Sequence, residues 1–253
     1  MQFIPRAHTL LLLANVAYVA TLLGLLWQFL LERSRVRTFA LGATHGAQNA
    51  SDTARVLARV IHTSIVRRDD DPPFLHRSLA VIGASPSAVM RHGACCSGIA
   101  RLYILALDSL RIPAAQVTLY HASGEAQHCL VEVVVDGVGQ LIDPTYGVAF
   151  ESRDARPLSL ADVQAGHQPC LVSIRDGGQS GYPPNDYHRF DYAQTKTANW
   201  TRAWPRRSAY AVLRHVMDVD RLRVPVALEW PHVIVGCLVI FGAIGMNGLA
   251  QLL

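Results

Sequence analysis

Two long stretches without a single charged side chain lie towards opposite ends of this 253-residue chain, and they restrict its folding more than any other feature. Thr9 to Leu31 is rich in Leu, Ala and Val, and Val233 to Leu253 is about as long. A helix rises ~1.5 Å per residue, so either stretch is long enough to cross a ~30 Å hydrocarbon core. Trp27 and Trp230 fall where the runs meet the rest of the chain, as interfacial anchors do. A cleaved leader is the rival reading of the first run. Leader cores span ~7–15 apolar residues and end in small ones, whereas this run ends Trp27-Gln28-Phe29-Leu30-Leu31-Glu32. The expectation is a membrane helix over 9–31, a linker over 32–50, and a second membrane helix over 232–253.

Arginine placement gives an orientation. Arg33, Arg35 and Arg37 follow the first run and Arg214, Arg221 and Arg223 precede the second, while only Arg6 and the terminal amine stand on the other side. The excess of positive charge favours a cytoplasmic middle region with both termini outside. Five cysteines do not fix the compartment. Cys95 and Cys96 are adjacent and Cys237 lies in the second apolar run, so Cys129 and Cys170 are the plausible pair. A net charge of +4 with no basic block points away from nucleic acid.

Between the two runs the chain reads as α+β. Ser51 can cap a helix running to about Arg68, with Val56, Leu57, Val60, Ile61 and Ile65 on one stripe. Asp69-Asp70-Asp71-Pro72-Pro73 ends it and reads as a solvated turn rather than a cation site. Apolar residues recur at helical spacing from Ser97 to Leu110. Three strands are expected next: 116–121, 129–135 and one beginning at 140, with Asp136-Gly137-Val138-Gly139 as a hairpin turn. Helices followed by consecutive strands imply an antiparallel sheet. After Phe150 come turn-rich stretches at Gly177-Gly178 and Pro183-Pro184, an aromatic segment from Tyr187 to Tyr192, and a helix over about 207–217. The stretch from Tyr187 to Arg207 reads either as a substrate wall or as a packed linker.

Cys96 stands where a loop becomes a helix. Unpaired N–H groups and the helix dipole stabilise an anion there, and a thiolate is the reactive form of cysteine. Such a nucleophile needs an imidazole to move its proton and a carboxylate to orient the imidazole. His128 at a strand start and Asp143 at the end of the next strand are placed for these roles. Cys95 is the alternative nucleophile. The structural alternative, two inert buried thiols, is what a cysteine pair alone would suggest.

Three segments then carry a resemblance. Gly93-Ala94-Cys95-Cys96-Ser97-Gly98-Ile99-Ala100 with Leu110-Arg111-Ile112-Pro113-Ala114 resembles the nucleophile helix of the transglutaminase-like superfamily. His128-Cys129-Leu130-Val131-Glu132-Val133 is similar to its histidine strand, and Asp143-Pro144-Thr145 to its aspartate motif. The match spans roughly 51–150, leaving 151–231 as an extension of the domain. It implies a transglutaminase-like core, a nucleophile helix packed on an antiparallel sheet, with Cys96, His128 and Asp143 as the triad. Its register selects Cys96, because the small residue Ala100 and then Ile112 fall where the family pattern puts them. One oxyanion donor is implied at the Cys96 backbone N–H, with Gln127 and His92 as candidates for the second.

The resemblance implies a thioester acyl-enzyme and, most directly, hydrolysis of an amide or peptide bond. Acyl transfer or transamidating cross-linking is the alternative, and a non-catalytic membrane scaffold is a third reading. The looser echo of the arylamine acetyltransferases in Arg91-His92-Gly93-Ala94-Cys95 lacks their signature. No metal or other cofactor is implied. The expected surroundings are the lipid bilayer of a bacterial inner membrane, and the expected substrate is a peptide, protein or lipid-linked glycan near it.

Overall fold

The computed structural model describes residues 4–73, 83–174, 187, 189–197, 204–217, 219 and 225–252. It begins with one continuous helix, α1 (Ile4–Ala43). Its 40 residues extend about 60 Å, roughly twice a hydrocarbon core. The linker expected from residue 32 is therefore helical as far as Ala43. Amphipathicity explains this: Val36 and Ala40 are fully buried one turn apart, while Arg33, Arg35 and Arg37 stay exposed.

Helix α2 (Ala50–Ser64) is capped by Asn49, whose side chain accepts from the Asp52 N–H at 2.9 Å, rather than by Ser51. It stops at Ser64, short of Arg68, because the next residues pair with another segment. Arg68 N–H donates to the Ala94 carbonyl (2.9 Å) and Ala94 N–H to the Val66 carbonyl (3.1 Å). Helix α3 (Pro86–His92) starts at Ser85, and α4 (Cys96–Ser109) follows after Gly93. Every residue of α4 from Ser97 to Leu107 is buried, so this helix is the axis of the domain.

The sheet is an antiparallel meander: β1 (Ala114–Tyr120), β2 (Ala126–Val135), β3 (Val138–Asp143), β4 (Val148–Glu151) and, after the short α5 (Leu160–Gln164), β5 (Cys170–Ser173). Asp136 (φ 50°) and Gly137 (φ 78°) form the two-residue turn between β2 and β3, the backbone geometry that suits a hairpin. The sheet thus continues beyond residue 150. Its two faces bury separate cores, as strand alternation requires. Cys129, Val131, Val133, Ile142 and Ala149 face the helical core of α1, α2 and α4. Val117, Leu119, Leu130, Leu141, Val148 and Phe150 face Leu158, Leu160, Val163 and Tyr187.

Helices α6 (Trp204–Leu213) and α7 (Pro231–Leu252) complete the chain. The helix expected to reach residue 217 ends at Leu213 and continues as a turn. The stretches at 177–178, 183–184 and 199–200 lie outside the described residues. A buried ion pair, Arg101 Nε to Glu229 Oε2 at 3.1 Å, ties the approach to α7 to the central helix.

Two helices, α1 and α7, are long and apolar enough to cross a membrane. They pack antiparallel. The side-chain amides of Asn15 and Asn247 exchange two hydrogen bonds (3.1 and 2.9 Å), and Phe29 meets Trp230 edge-on at 5.1 Å. Leu12, Val16, Leu23, Leu238 and Phe241 point outwards and are exposed.

The cysteines are free thiols. The plausible Cys129–Cys170 pair does not form, because β2 and β5 are three strand spacings apart, about 14 Å against the ~7 Å limit of a bridge.

Candidate active site

The turn that presents the cysteines depends on one glycine. Gly93 ends α3 at φ 75°, and a Cβ there would lie 2.1 Å from the Val66 carbonyl oxygen. No side chain fits, and the chain enters α4 only through this close approach. Cys95 is the N-cap residue of α4 and Cys96 its first helical residue. The Cys96 N–H is therefore among those with no intrahelical acceptor.

The two thiols are not equivalent. Cys95 Sγ donates to Asp71 Oδ1 at 3.0 Å, and its backbone N–H donates to the same oxygen at 3.2 Å. Hydrogen bonding to Cys96, burial and the Asp71 charge push the Cys95 thiol far up, against a smaller opposite effect of Ser97. Cys95 stays protonated. Asp71 is thus no solvated turn residue. It rests over Gly98, where an added Cβ would come within 2.3 Å of the carboxylate oxygen.

On the sheet side, His128 and Asp143 are diagonal neighbours on one face. Val131 lies opposite Ile142, which leaves His128 three residues before the register point and Asp143 one after it. His128 Nε2 lies 2.5 Å from Asp143 Oδ2. The other ring nitrogen is left for Cys96. Burial works to lower the His128 pKa. The Asp143 charge and hydrogen bond outweigh it, aided by the hydrogen bond and charge of Cys96, and lift it from 6.5 to about 10. Burial alone would raise Asp143. His128, the Tyr187 hydroxyl and the Thr145 N–H instead hold it below the ordinary carboxylate value. Its Oδ1 accepts from the Thr145 and Tyr146 N–H groups at 2.8 and 3.2 Å, a turn in which an Asp side chain binds backbone two residues on.

Tyr187 is the member that sequence reasoning placed only in a general wall. Its buried hydroxyl donates to Asp143 Oδ2, the oxygen that also meets His128. Phe190 stacks on the His128 ring at 6.3 Å and 20°, and Tyr146 lies 5.2 Å away. Backbone pairing explains how so distant a segment arrives. Lys196 pairs with Thr118, and the Asp191 N–H donates to the Tyr120 carbonyl, so residues 190–196 run along the free edge of β1. The only sequence signal was the density of aromatic residues from Tyr187 to Tyr192.

Two cavities, about 840 and 690 Å³, meet at Cys95, Cys96, Gln127 and His128. The first is walled by the acidic turn and includes His92. The second is walled by Arg67, Tyr146, Tyr187, Arg189 and Phe190. Both proposed second oxyanion donors line this groove and are exposed. The Gln127 amide makes only a long 3.5 Å contact to Glu125.

Cys96, His128 and Asp143, dispersed in sequence, are therefore brought together on an α+β fold, with the cysteine at the head of a helix and the other two on an antiparallel sheet. No protein-family model and no curated protein matches the sequence. Among solved structures, the chain is similar to a candidate cysteine protease from Cytophaga hutchinsonii (17% identity, 45% of this chain and 37% of that one, TM-score 0.37). It is also similar to a candidate protease from Parabacteroides distasonis (18%, 58% and 27%, TM-score 0.36) and to a TGase (16%, 46% and 32%, TM-score 0.35). The chain spans 27% to 37% of the length of these three proteins.

Proposed function

We propose that this chain is a membrane-anchored thiol enzyme that hydrolyses an amide or peptide bond through a thioester at Cys96. The observation that carries the reading is the buried His128–Asp143 contact of 2.5 Å beside a cysteine at a helix head. A His128 that holds its proton well above neutral pH favours the imidazolium–thiolate form of the pair. The sulfur attacks the acyl carbon, and the Cys96 N–H receives the developing oxyanion. His128 gives its proton to the departing amine, which leaves a thioester. It then takes a proton from water, which attacks the thioester, releases the acid and restores the thiol. Asp143 orients the ring throughout, and Tyr187 holds Asp143.

The groove is open on both sides of the sulfur, which suits an extended substrate crossing it. The same feature favours acyl transfer as a second reading, with an amine or hydroxyl acceptor in the second cavity in place of water. With α1 and α7 in a bilayer, substrates lie near the membrane surface: a peptide, a protein or a lipid-linked glycan. Arg33, Arg35 and Arg37, which follow the uncharged run within α1, favour the cytoplasmic side of a bacterial inner membrane for the thiol domain.

The test is a thiol-reactive acyl probe on the full chain in detergent, with the adduct mapped by mass spectrometry. Cys96 is expected to label rapidly, His128→Ala to label slowly, and Cys96→Ser to lose the fast phase. Equal and slow labelling of Cys95 and Cys96, unmoved by His128→Ala, would show a scaffold with inert thiols instead.

A further inference from the structure

A third cavity, remote from the thiols, opens where α1 leaves its uncharged run. Its volume is about 350 Å³. Leu30, Arg33, Ser34 and Arg37 line it from α1, at the i, i+3, i+4 and i+7 spacing of one helix face. Asp108, Ser109 and Arg111 line it from the end of α4. Among the described residues, no hydrogen bond or ion pair engages the side chains of Arg33, Arg37, Arg111 or Asp108. Three guanidinium groups thus face one carboxylate around an open space, a local excess of two positive charges.

Arg111 has a further peculiarity. Its φ is 63°, the left-handed region that glycine adopts freely and other residues adopt at a cost. The backbone there closes α4 by donating from Ile112 N–H to the Leu107 carbonyl (3.0 Å). An arginine in such a position is held at the cavity mouth by the helix end itself.

We infer that this cavity is a binding site for the phosphate of an anionic phospholipid headgroup. The inference rests on the membrane reading above. Arginine forks match phosphate oxygens in pairs, and guanidinium sheds water more readily than ammonium. Leu30 lies on the bilayer side of the cavity and Arg33 one turn beyond it, so a headgroup here can keep its acyl chains against the exposed leucines of α1. Leu30, the last turn of the apolar run, and the Phe29–Trp230 contact mark the depth of the interface. The net charge of the three arginines and Asp108 suits a phosphodiester, with Ser34 and Ser109 as additional donors.

Arg35 provides an internal control. It lies at the same depth with the same charge, but it does not line the cavity and pairs with Glu32 at 3.0 Å. The full chain, solubilised in neutral detergent, is exposed to equal amounts of phosphatidylglycerol and phosphatidylcholine, and retained lipid is counted by native mass spectrometry. Wild type is expected to retain one phosphatidylglycerol preferentially. Arg33→Gln with Arg37→Gln is expected to reduce that preference roughly tenfold or more, Arg111→Gln to reduce it further, and Arg35→Gln to leave it unchanged. Millimolar inorganic phosphate is expected not to displace the lipid. Absence of lipid preference in wild type, an equal loss with Arg35→Gln, or full displacement by inorganic phosphate overturns the inference. Flotation with phosphatidylcholine vesicles separates the two levels. A chain that floats yet shows no anionic preference loses only the pocket. A chain that stays in solution without detergent loses the membrane reading and the pocket together.

Discussion

Cys95 and Cys96 sit half-buried at the head of a helix, on a loop held by a glycine turn and an acidic segment, whereas His128 and Asp143 are 7% and 0% exposed among rings. The carboxylate receives His128, the Tyr187 hydroxyl and two backbone N–H groups. Among the described residues nothing comparable encloses the sulfur of Cys96, which opens on two cavities. On the proposed reading, the contrast follows from what each half must do. An imidazole acts through one orientation and one charge state, and burial with saturated hydrogen bonds fixes both. On the same reading a nucleophile must meet its substrate, which an open half suits. Its neighbour Cys95 is kept protonated by its hydrogen bond to Cys96, burial and the Asp71 charge.

The strongest blow to the enclosed half is Asp143→Asn. It leaves the shape and removes the charge, and the probe-labelling rate at Cys96 is expected to fall on the order of a thousandfold or more. The same variant carries a pH signature. A His128 pKa raised from 6.5 to about 10 means the folded state binds this proton more tightly. That stabilisation is complete below about 6.5 and disappears as pH climbs towards 10. Asp143, shifted down, contributes the opposite way: its stabilisation is present above the ordinary carboxylate range and is lost as pH falls through its lowered value. The thermal midpoint of wild type should decline across the alkaline window, and Asp143→Asn should flatten that decline. An unchanged slope would mean that the pair is not coupled.

Next in size is Gly93→Ala on the open half. The methyl group meets the Val66 carbonyl at 2.1 Å and the φ of 75° is strained for alanine, so at least about 2 kcal/mol of stability should be lost. Urea unfolding in detergent measures it, and a loss below that size would show that the cysteine turn adapts. Tyr187→Phe returns to the enclosed half. It deletes one donor to a charged acceptor, worth about 1.5 kcal/mol, so Cys96 labelling should slow roughly tenfold and its acid limb should shift to higher pH, because Asp143 loses a hydrogen bond that holds its pKa down. A simple loss of packing would slow labelling without moving the pH profile. The smallest change is expected from Asp71→Asn. With one of several causes of its high pKa removed, Cys95 should become a few-fold more reactive, while Cys96 is unaffected. Reactivity rising at both thiols would mean that Asp71 does not distinguish them.

Much of the architecture could be read from the chain itself. The spacing of apolar residues over Ser97–Leu110 located α4, and alternation about a turn at 136–139 located β2 and β3, although β3 starts at Val138 rather than 140, because local periodicity reports which face a segment buries. The same logic failed at 32–43. Three arginines there suggested a linker, yet Val36 and Ala40 were enough to continue the helix once α2 and α4 lay beside it. Similarly, α2 ended early because Val66 and Arg68 had backbone partners near Ala94 that no local pattern reveals.

By itself the sequence determined the two uncharged helices, the order of α2, α4 and the strands after it up to β3, and the types of residue able to form a thiol, an imidazole and a carboxylate group, since each depends on neighbours a few positions away. Tertiary structure alone decided that Tyr187 and Phe190 cover His128, that Asp71 reaches Cys95 over Gly98, and that Asn15 finds Asn247. These contacts join residues 24 to 232 positions apart. Such pairings are fixed by the packing of whole elements against one another, a global property for which no short window of residues carries the information.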